Sequence, residues 1–289
     1  MSTALLLSAL VGGLANGAVY ALVALGLTLI YGVLHIINFA HGSLLMLALY
    51  ASWILWSALG VSPYVALVLL APLFFALGYA LQRWVIGPAG QGRDANVLLV
   101  TLGVSIVIDN LALAVFGPAT RTVDIPLATS TIDLGVMYLP LPRLIAFVAA
   151  LLLSGGLWLL LNRTDLGRAI RAVARESDAA RLVGIRVAHI HAVTFGIGTA
   201  SVAAAACLLL PSFYVSPDAG YAFVLVAFTV VVMGGMGSFP GALLAGLVIG
   251  VIESFSGLWF GPSLAPIGIY AAFALVLLFR PTGLFGARA

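Results

Sequence analysis

Charge is the scarcest property of this sequence. Only 7% of its 289 residues are charged and 63% are hydrophobic, whereas a soluble domain usually carries about 25% charged residues. So few charges are not enough to cover a water-facing surface, which excludes an ordinary soluble protein. The mean hydropathy of +1.23 suits a lipid bilayer as the main solvent. In hydrocarbon the chain must satisfy its own backbone hydrogen bonds, and only helices or closed barrels do so.

Lysine is absent altogether and cysteine is nearly absent. All 12 basic residues are arginines, so the chain lacks the lysine of a phosphate-binding Walker A loop and is predicted to have no ATPase site of its own. The single cysteine, Cys207, excludes a disulfide framework and zinc-binding cysteine pairs. The N-terminus also lacks the positive charge that begins a secretory signal peptide, so the segment from Ala4 onward is predicted to be a retained span.

Long, continuous apolar segments make up most of the chain. A helix needs about 20 such residues to cross the hydrocarbon core, and continuous runs favour helices over the alternating strands of a barrel. The prediction is an all-α, polytopic membrane helical bundle of eight to ten transmembrane segments, in one transmembrane domain over residues 1–289. The candidate spans are Leu5–Tyr31, Val33–Leu59, Tyr64–Val85, Ala95–Phe116, Leu144–Leu161, Ile190–Leu210, Tyr221–Met233, Gly241–Phe260 and Leu264–Phe279.

The arginines predict which loops lie inside the cell, because cytoplasmic loops of membrane proteins are enriched in positive charge. The segment 163–191 and the C-terminus are therefore predicted to be cytoplasmic, which leaves Arg121 and Arg143 outside. The side of the N-terminus stays open at this point. The arginines predicted to be cytoplasmic are Arg83, Arg93, Arg163, Arg168, Arg171, Arg175, Arg181, Arg186, Arg280 and Arg288.

Two segments interrupt the apolar pattern, Asn38–Gly42 and Gly234–Gly241. Clustered glycine and proline continue a helix only at a cost, and freed backbone groups at membrane depth are tolerated only inside protein or beside a watery cavity. Such breaks are the best sequence indication of a transport pathway, so the two are expected to lie close together beside a substrate route; the alternative is a pair of tight turns or hinges. The predicted pathway residues are Asn38, Phe39, His41, Gly42, Gly235, Gly237, Ser238 and Phe239.

The segment 163–187 is the one substantial polar piece of the chain. Its apolar residues recur at spacings of three, four and seven, with arginines between them, which predicts one short amphipathic helix or a pair of them. Six arginines exceed what membrane orientation alone requires. We therefore expect a cytoplasmic docking surface for a partner protein, the alternative being a solvated loop that only sets orientation.

The same segment carries a resemblance to a known family. Asp178-Ala179-Ala180, followed by Gly184-Ile185, resembles the EAA-type coupling loop of bacterial ABC importer permeases, with Asp in place of the leading Glu. Other motifs along nearly the whole chain resemble those of the LivH-type branched-chain amino-acid permease. These motifs are Gly17–Leu22 (GAVYAL), Tyr31–Val33 (YGV), Ile37–Gly42 (INFAHG), Leu166–Ala169 (LGRA), Gly234–Gly241 (GGMGSFPG) and Arg280–Gly286 (RPTGLFG).

The resemblance implies an ABC importer permease fold with broken helices, in a bacterial inner membrane. It implies a second, LivM-type permease, two cytoplasmic ATP-binding subunits and a periplasmic or extracellular binding protein that delivers a small amino acid. ATP is then bound by the partner subunits, and this chain is expected to hold no cofactor or metal and to bind no nucleic acid. The residues implied to couple to the ATPases are Arg171, Glu176, Asp178, Ala179, Ala180, Gly184 and Ile185.

Other functions remain to be weighed at this point. Relatives of the family carry short amides or urea, so the resemblance alone does not fix the cargo. An ion-coupled secondary transporter would need ionisable groups within the membrane, for which the candidates are Asp109, Glu253, His35 and His41. An enzyme is disfavoured, because the sequence lacks the HExxH, GxSxG and CxxC motifs.

Overall fold

The computed structural model describes residues 3–90, 94–133, 138–280 and 283–284. In these residues the chain forms twelve α-helices, one π-helical segment at Gln82–Ile86, several short 3₁₀ turns and one small antiparallel hairpin, β1 (Thr131–Asp133) with β2 (Tyr138–Pro140). The helices are α1 (Thr3–Leu34), α2 (Ala40–Leu59), α3 (Pro63–Leu81), α4 (Gly87–Ala89), α5 (Asp94–Phe116), α6 (Leu141–Arg163), α7 (Asp165–Arg175), α8 (Ser177–Leu182), α9 (Val187–Leu209), α10 (Ala219–Gly234), α11 (Phe239–Phe260) and α12 (Ala265–Phe279).

Eight helical segments of the described chain are long and apolar enough to cross a membrane. They confirm the predicted polytopic helical bundle and the lower bound of eight to ten spans. The helix α10 is also apolar, but it has only 16 residues. One predicted boundary differs, because the span expected from Val33 onward begins as α2 only at Ala40.

The centre of the bundle is formed by α1 and α9. In the span that contains α9, 89% of the most apolar stretch is buried by the rest of the chain, whereas in the span that contains α12 the buried share is 6%. A helix that is apolar on all sides belongs either in a core or against lipid, and these two helices illustrate the two cases. The outer helices carry exposed large apolar side chains such as Leu69, Leu152 and Leu278, as expected for surfaces that face lipid.

Close packing of α1 against α11 depends on glycine. A Cβ added to Gly17 would lie 2.6 Å from the carbonyl oxygen of Gly246, and one added to Gly13 would lie 2.7 Å from the Cα of Val251. Small residues at such crossings allow two backbones to approach closely, which is the usual way that membrane helices associate. The glycines on α1 therefore allow α11 to pack directly against the α1 backbone.

The polar segment 163–187 folds as the two short helices α7 and α8. Thr164 caps α7, since its hydroxyl accepts a hydrogen bond from the Gly167 N–H at 3.0 Å. Glu176 has an extended backbone with φ −155° and ψ 97°, which separates the two helices. The buried residues of α7, Ile170 and Val173, pack in one cluster with the end of α1 and the start of α9.

The described contacts separate the two ends of the bundle. At one end lie α7, α8, the end of α1 and the turn between α10 and α11, where the Leu284 N–H also donates to the Met233 carbonyl at 2.7 Å. At the other end lie the start of α1 and Arg143, which approaches Gly12. Arg121, which pairs with Val215 in an antiparallel bridge, also belongs to this second end. Arg93 and Arg288 lie outside the described residues.

Candidate functional site

The first interruption of the helical pattern lies between α1 and α2, where an extended segment enters the bundle. His35 ends α1 with a positive φ of 55°. Beyond it, Ile36 and Asn38 are buried while Ile37 and Phe39 are exposed, the alternation of an extended strand. The Asn38 side chain accepts a hydrogen bond from the Ala40 N–H at 3.1 Å, so it satisfies one of the free donors at the start of α2.

The start of α2 lies deep within the bundle. His41 Nε2 is 2.9 Å from the carbonyl oxygen of Val23. Val23 precedes the end of α1 at Leu34 by three turns, which is about 16 Å at 1.5 Å per residue. The segment after α1 therefore runs back toward the middle of the bundle before α2 begins. A charged or polar group at this depth requires a specific partner, and the fully buried His41 has one in the α1 backbone.

A second helix also starts at this depth. A Cβ added to Gly220, at the start of α10, would lie 2.5 Å from the carbonyl oxygen of Gly42. From that contact α2 runs toward the end that holds Arg143, while α10 runs to the glycine-rich turn beside α7. Two helices thus begin side by side within the membrane domain and run in opposite directions. Discontinuous helices of this kind form the substrate sites of many transporters.

The glycine-rich segment Gly234–Gly241 is a tight turn at the end of the bundle. Gly235 and Gly237 have φ angles of 91° and 85°, which residues with a Cβ rarely adopt. The Ser238 hydroxyl caps α11 by accepting from the Gly241 N–H at 3.2 Å. The turn packs on α1, because a Cβ added to Gly32 would lie 3.0 Å from the Gly237 Cα.

The turn and α7 enclose a cavity of about 860 Å³ together with the end of α1. Its walls include His35, Asn162 and two arginines of α7, Arg171 and Arg175. The cavity opens at the end of the bundle that holds the polar loop. It therefore lies beside the glycine-rich turn rather than beside the crossing of α2 and α10.

The predicted pathway residues fall into two groups in the structure. Asn38, His41 and Gly42 are buried in the bundle, and the Phe39 ring lies 5.9 Å from that of Phe228 on α10. The second group lies at the α10–α11 turn next to α7 and the end of α1, and consists of Gly235, Gly237, Ser238 and Phe239. The nearest described neighbours of Gly42 are on α10, whereas those of Gly237 are on α1.

Asp109 was considered from the sequence, but the row of polar residues on α5 to which it belongs was not identified there. On α5, Thr101, Ser105 and Asp109 recur at intervals of four residues and so share one face. The Ser105 and Ser43 hydroxyls lie 2.7 Å apart, and Ser105 donates to Asp109 Oδ2 at 3.3 Å. The four-residue spacing was the available signal, but it becomes significant only once α2 packs on that face.

The ionisable groups considered for ion coupling do not form one chain. Glu253 accepts a hydrogen bond from the Tyr20 hydroxyl at 2.7 Å, in the region where α1 meets α11. Asp109 belongs to the row of polar residues on α5, and His41 bonds the backbone of α1. These three polar contacts lie apart from one another. Among the described residues they therefore do not form a continuous relay for a proton or cation.

The predicted coupling residues lie together on α7, α8 and the turn after them. Gly184 has a φ of 87°, and a Cβ added there would have no heavy atom within 4 Å. Ala180 is buried against the bundle and Ile185 is half-buried, and the Ile185 N–H donates to the Ala180 carbonyl at 3.0 Å. The remaining predicted coupling residues are exposed, namely Arg171, Glu176, Asp178 and Ala179. Beside them, Leu182 and Val183 are 90% and 77% exposed.

Comparison with known proteins identifies relatives along almost the full chain. The family model described as "Branched-chain amino acid transport system / permease component" matches residues 9–279. The high-affinity branched-chain amino acid transport system permease protein BraD of Pseudomonas aeruginosa is 35% identical, over 97% of this chain and 95% of its own length. The permease proteins LivH of Escherichia coli K12 and of Salmonella typhimurium are each 31% identical, over 95% of this chain and 93% of their own lengths.

Among solved structures, PsaBC from Streptococcus pneumoniae in complex with Fab aligns with 95% of this chain and 92% of that chain. The TM-score is 0.46 at 14% identity, which does not by itself establish a common fold. The assignment therefore depends on the sequence family and on the eight apolar helices. This multi-pass membrane chain belongs to the family of permease components of branched-chain amino acid transport systems.

Proposed function

We propose that this chain is a permease subunit of a binding-protein-dependent ABC importer and forms half of the passage for branched-chain or similar small amino acids. The support is the shared family together with two helices that begin within the membrane domain. Hydrolysis of ATP is assigned to separate subunits, because the chain has no lysine for a Walker A loop. The proposal needs no cofactor bound to this chain.

The proposed assembly has four kinds of partner. A second permease, either LivM-type or a second copy, completes the passage, and two ATP-binding subunits dock on the α7–α8 end. A binding protein delivers the amino acid at the opposite end, and lipid surrounds the outer helices. The exposed apolar side chains of the outer helices are consistent with that environment.

The orientation follows from the arginines of α7, α8 and their flanks. Positively charged loops favour the cytoplasm, so we assign the segment 163–191 and the C-terminus to the cytoplasm of a bacterial cell, with the chain in its inner membrane. The start of α1 lies at the opposite end, next to Arg143. The N-terminus is therefore assigned to the outside.

The observation that carries the docking proposal is the two-sided character of the α7–α8 pair. One side packs into the bundle through Ile170, Val173 and Ala180. On the other side, Leu182 and Val183 project almost fully exposed, within a strongly basic surface. These two adjacent apolar residues on a polar loop would fit a groove of a partner protein, where their removal from water would favour binding.

The same packing offers a route for mechanical coupling. The buried face of α7 contacts Leu29 and Val33, just before the end of α1. The extended segment that leads to α2 follows directly. A displacement of α7 and α8 by a moving ATPase subunit would then shift the end of α1 and the helix that starts within the membrane, as a rigid-body motion.

The test replaces Leu182 in the complete transporter. Leu182→Asp should abolish co-purification of the ATP-binding subunits and ATP-driven uptake of leucine into proteoliposomes, because a charge would enter an apolar contact. Leu182→Met keeps the apolar volume and should retain both. Gel filtration and thermal unfolding of the permease should not change, since the side chain is exposed in the isolated subunit.

Wild-type levels of ATPase binding and uptake in Leu182→Asp would refute docking at this loop. Uptake assays with leucine, a short amide and urea would decide the cargo class. The same preparation without a second type of permease would show whether two copies of this chain are sufficient.

A further inference from the structure

On one face of the bundle, α5 and α10 lie on either side of the start of α2. Both helices pack on α2, and the start of α2 forms the floor between them. Phe39 marks that floor, because its ring lies 5.9 Å from Phe228 of α10 while its N–H donates to the Thr101 hydroxyl of α5 at 3.4 Å. The ring is 41% exposed. We call this surface, between Asp109 on α5 and Tyr221 on α10, the lateral groove.

A carboxylate lies on the wall of the lateral groove at membrane depth. Asp109 is seven residues before the end of α5 and fifteen after its start, so it lies well within the span. Ser105 donates to its Oδ2, and Ser105 in turn contacts Ser43 of α2. From α10, the Tyr221 side chain lies close to Asp109 on the opposite wall of the groove.

Within the described part of the chain, Asp109 has polar neighbours but forms no ion pair. Among the residues that the structure describes, both ion pairs lie on α7 and α8, far from this groove. Asp109 is only partly buried, and Tyr221 is 57% exposed. A charged group in a membrane span is costly in lipid and normally faces a cavity, a partner or a substrate path. This wall of the groove is therefore unsuited to face lipid.

We propose that Asp109 binds the ammonium group of the amino acid as it moves through the lateral groove, with Ser105 holding the carboxylate in place. This inference rests on the proposed function, and it also assigns the lateral groove to the face that the second permease covers. A compact cation is the complement of an unpaired carboxylate. The groove supplies apolar surface for an aliphatic side chain through Phe39, Leu102 and Leu225, each partly exposed.

The proposal predicts that the carboxylate of Asp109 attracts amino acids but not uncharged substrates. A short amide or urea has no ammonium group and would gain nothing from a carboxylate, whereas a zwitterion would lose an attraction if Asp109 were neutral. A site on a passage also needs only modest affinity, because tight binding would slow release. The contact therefore contributes to passage, while the binding protein performs most of the selection.

The first experiment measures transport by the complete complex in proteoliposomes. Asp109→Asn is isosteric and should lower leucine uptake about tenfold, which corresponds to a contact of about 1.4 kcal/mol. Asp109→Glu should recover most of that loss, because it keeps the charge. The matched control is Asn110→Ala on the neighbouring exposed side chain, with uptake at the wild-type rate.

Two results would overturn the proposal. One is wild-type uptake by Asp109→Asn. The other is an equal loss in Asp109→Asn and Asp109→Glu together with lowered thermal stability, which would assign Asp109 a purely structural role. Failure of the wild-type complex itself to import leucine would instead count against the proposed function, so the two failures are distinguishable.

A second experiment does not depend on transport. In a Cys207→Ala background, Tyr221→Cys places one thiol in the lateral groove, since Cys207 is the single cysteine. A cationic methanethiosulfonate should react with that thiol faster than an anionic one, and Asp109→Asn should bring the two rates together. Leucine should slow the cationic reagent. Equal rates for both reagents with Asp109 present would contradict a negatively charged binding site.

Discussion

The two breaks in the helical pattern look alike in sequence and differ in structure. Each contains glycine and lies between long apolar helices. The first, after α1, leads an extended segment into the bundle, where Asn38 and His41 are fully buried. The second, Gly234–Gly241, reverses the chain within a few residues at the end of the bundle. One break thus changes where a helix starts in the membrane, and the other only joins two helices.

The difference lies in how each break satisfies its backbone. At the first break, polar side chains satisfy the free backbone donors. The Asn38 side chain accepts a hydrogen bond from the Ala40 N–H, and the Thr101 hydroxyl accepts one from the Phe39 N–H. At the second, glycines with positive φ angles allow a compact turn, and the Ser238 hydroxyl caps the next helix. A break that enters a membrane bundle needs polar side chains, whereas a surface turn needs mainly conformational freedom.

The largest expected effect comes from crowding the first break. Gly42→Val would force a side chain into the carbonyl group of Gly220, where α2 crosses α10. We expect a loss of about 3 kcal/mol in the free energy of unfolding, typical of severe overpacking, and a poor yield of folded permease. Thermal unfolding in detergent measures the change. The matched control is Gly155→Ala on α6, since a Cβ there has no heavy atom within 4 Å.

The control should be neutral or stabilising by about 0.5 to 1 kcal/mol, since alanine is the better helix former. A Gly42→Val permease as stable as the control would mean that α2 and α10 do not approach closely, and the contrast between the two breaks would disappear.

A second measurement compares the two breaks by thiol reactivity. In a Cys207→Ala background, cysteine at the half-exposed Ser238 should react with a small water-soluble reagent in every state. Cysteine at the fully buried Asn38 should react only while substrate and ATP drive the complex. The physical reason is that a buried thiol is reached only when the bundle opens.

These thiols also test the prediction that both breaks border the substrate route. Added substrate should change the rate at Asn38 in particular. If neither thiol ever reacted, both breaks would be dry packing elements, and the route would have to follow other helices.

The smallest effect is expected from the cap of α11. Ser238→Ala removes the acceptor for the Gly241 N–H, and the loss of such a cap costs about 1 kcal/mol. Ser238→Asp retains an acceptor at the helix N-terminus and should preserve the melting temperature. A fall in stability as large as that of Gly42→Val would show that the turn is as critical to the fold as the first break.

Much of the architecture was predictable because lipid imposes strict local requirements. The range of eight to ten spans, the amphipathic loop 163–187 and the positions of both breaks follow from composition over short stretches, since each span must be apolar and each break must disrupt a helix. The division of the loop into α7 and α8 was allowed for but not located. It occurs at Glu176, whose extended backbone no local pattern marked.

The sequence by itself therefore determined the class of protein, its helices and the amphipathic character of the loop 163–187. Only the tertiary structure decided that α2 starts beside Val23, that Gly42 meets Gly220, and that Ser105 on the face of Asp109 meets Ser43. The physical reason is that each of these contacts joins residues far apart in the chain. Short-range periodicity specifies the face on which a side chain lies, but packing of whole helices decides which face meets which and at what depth in the membrane.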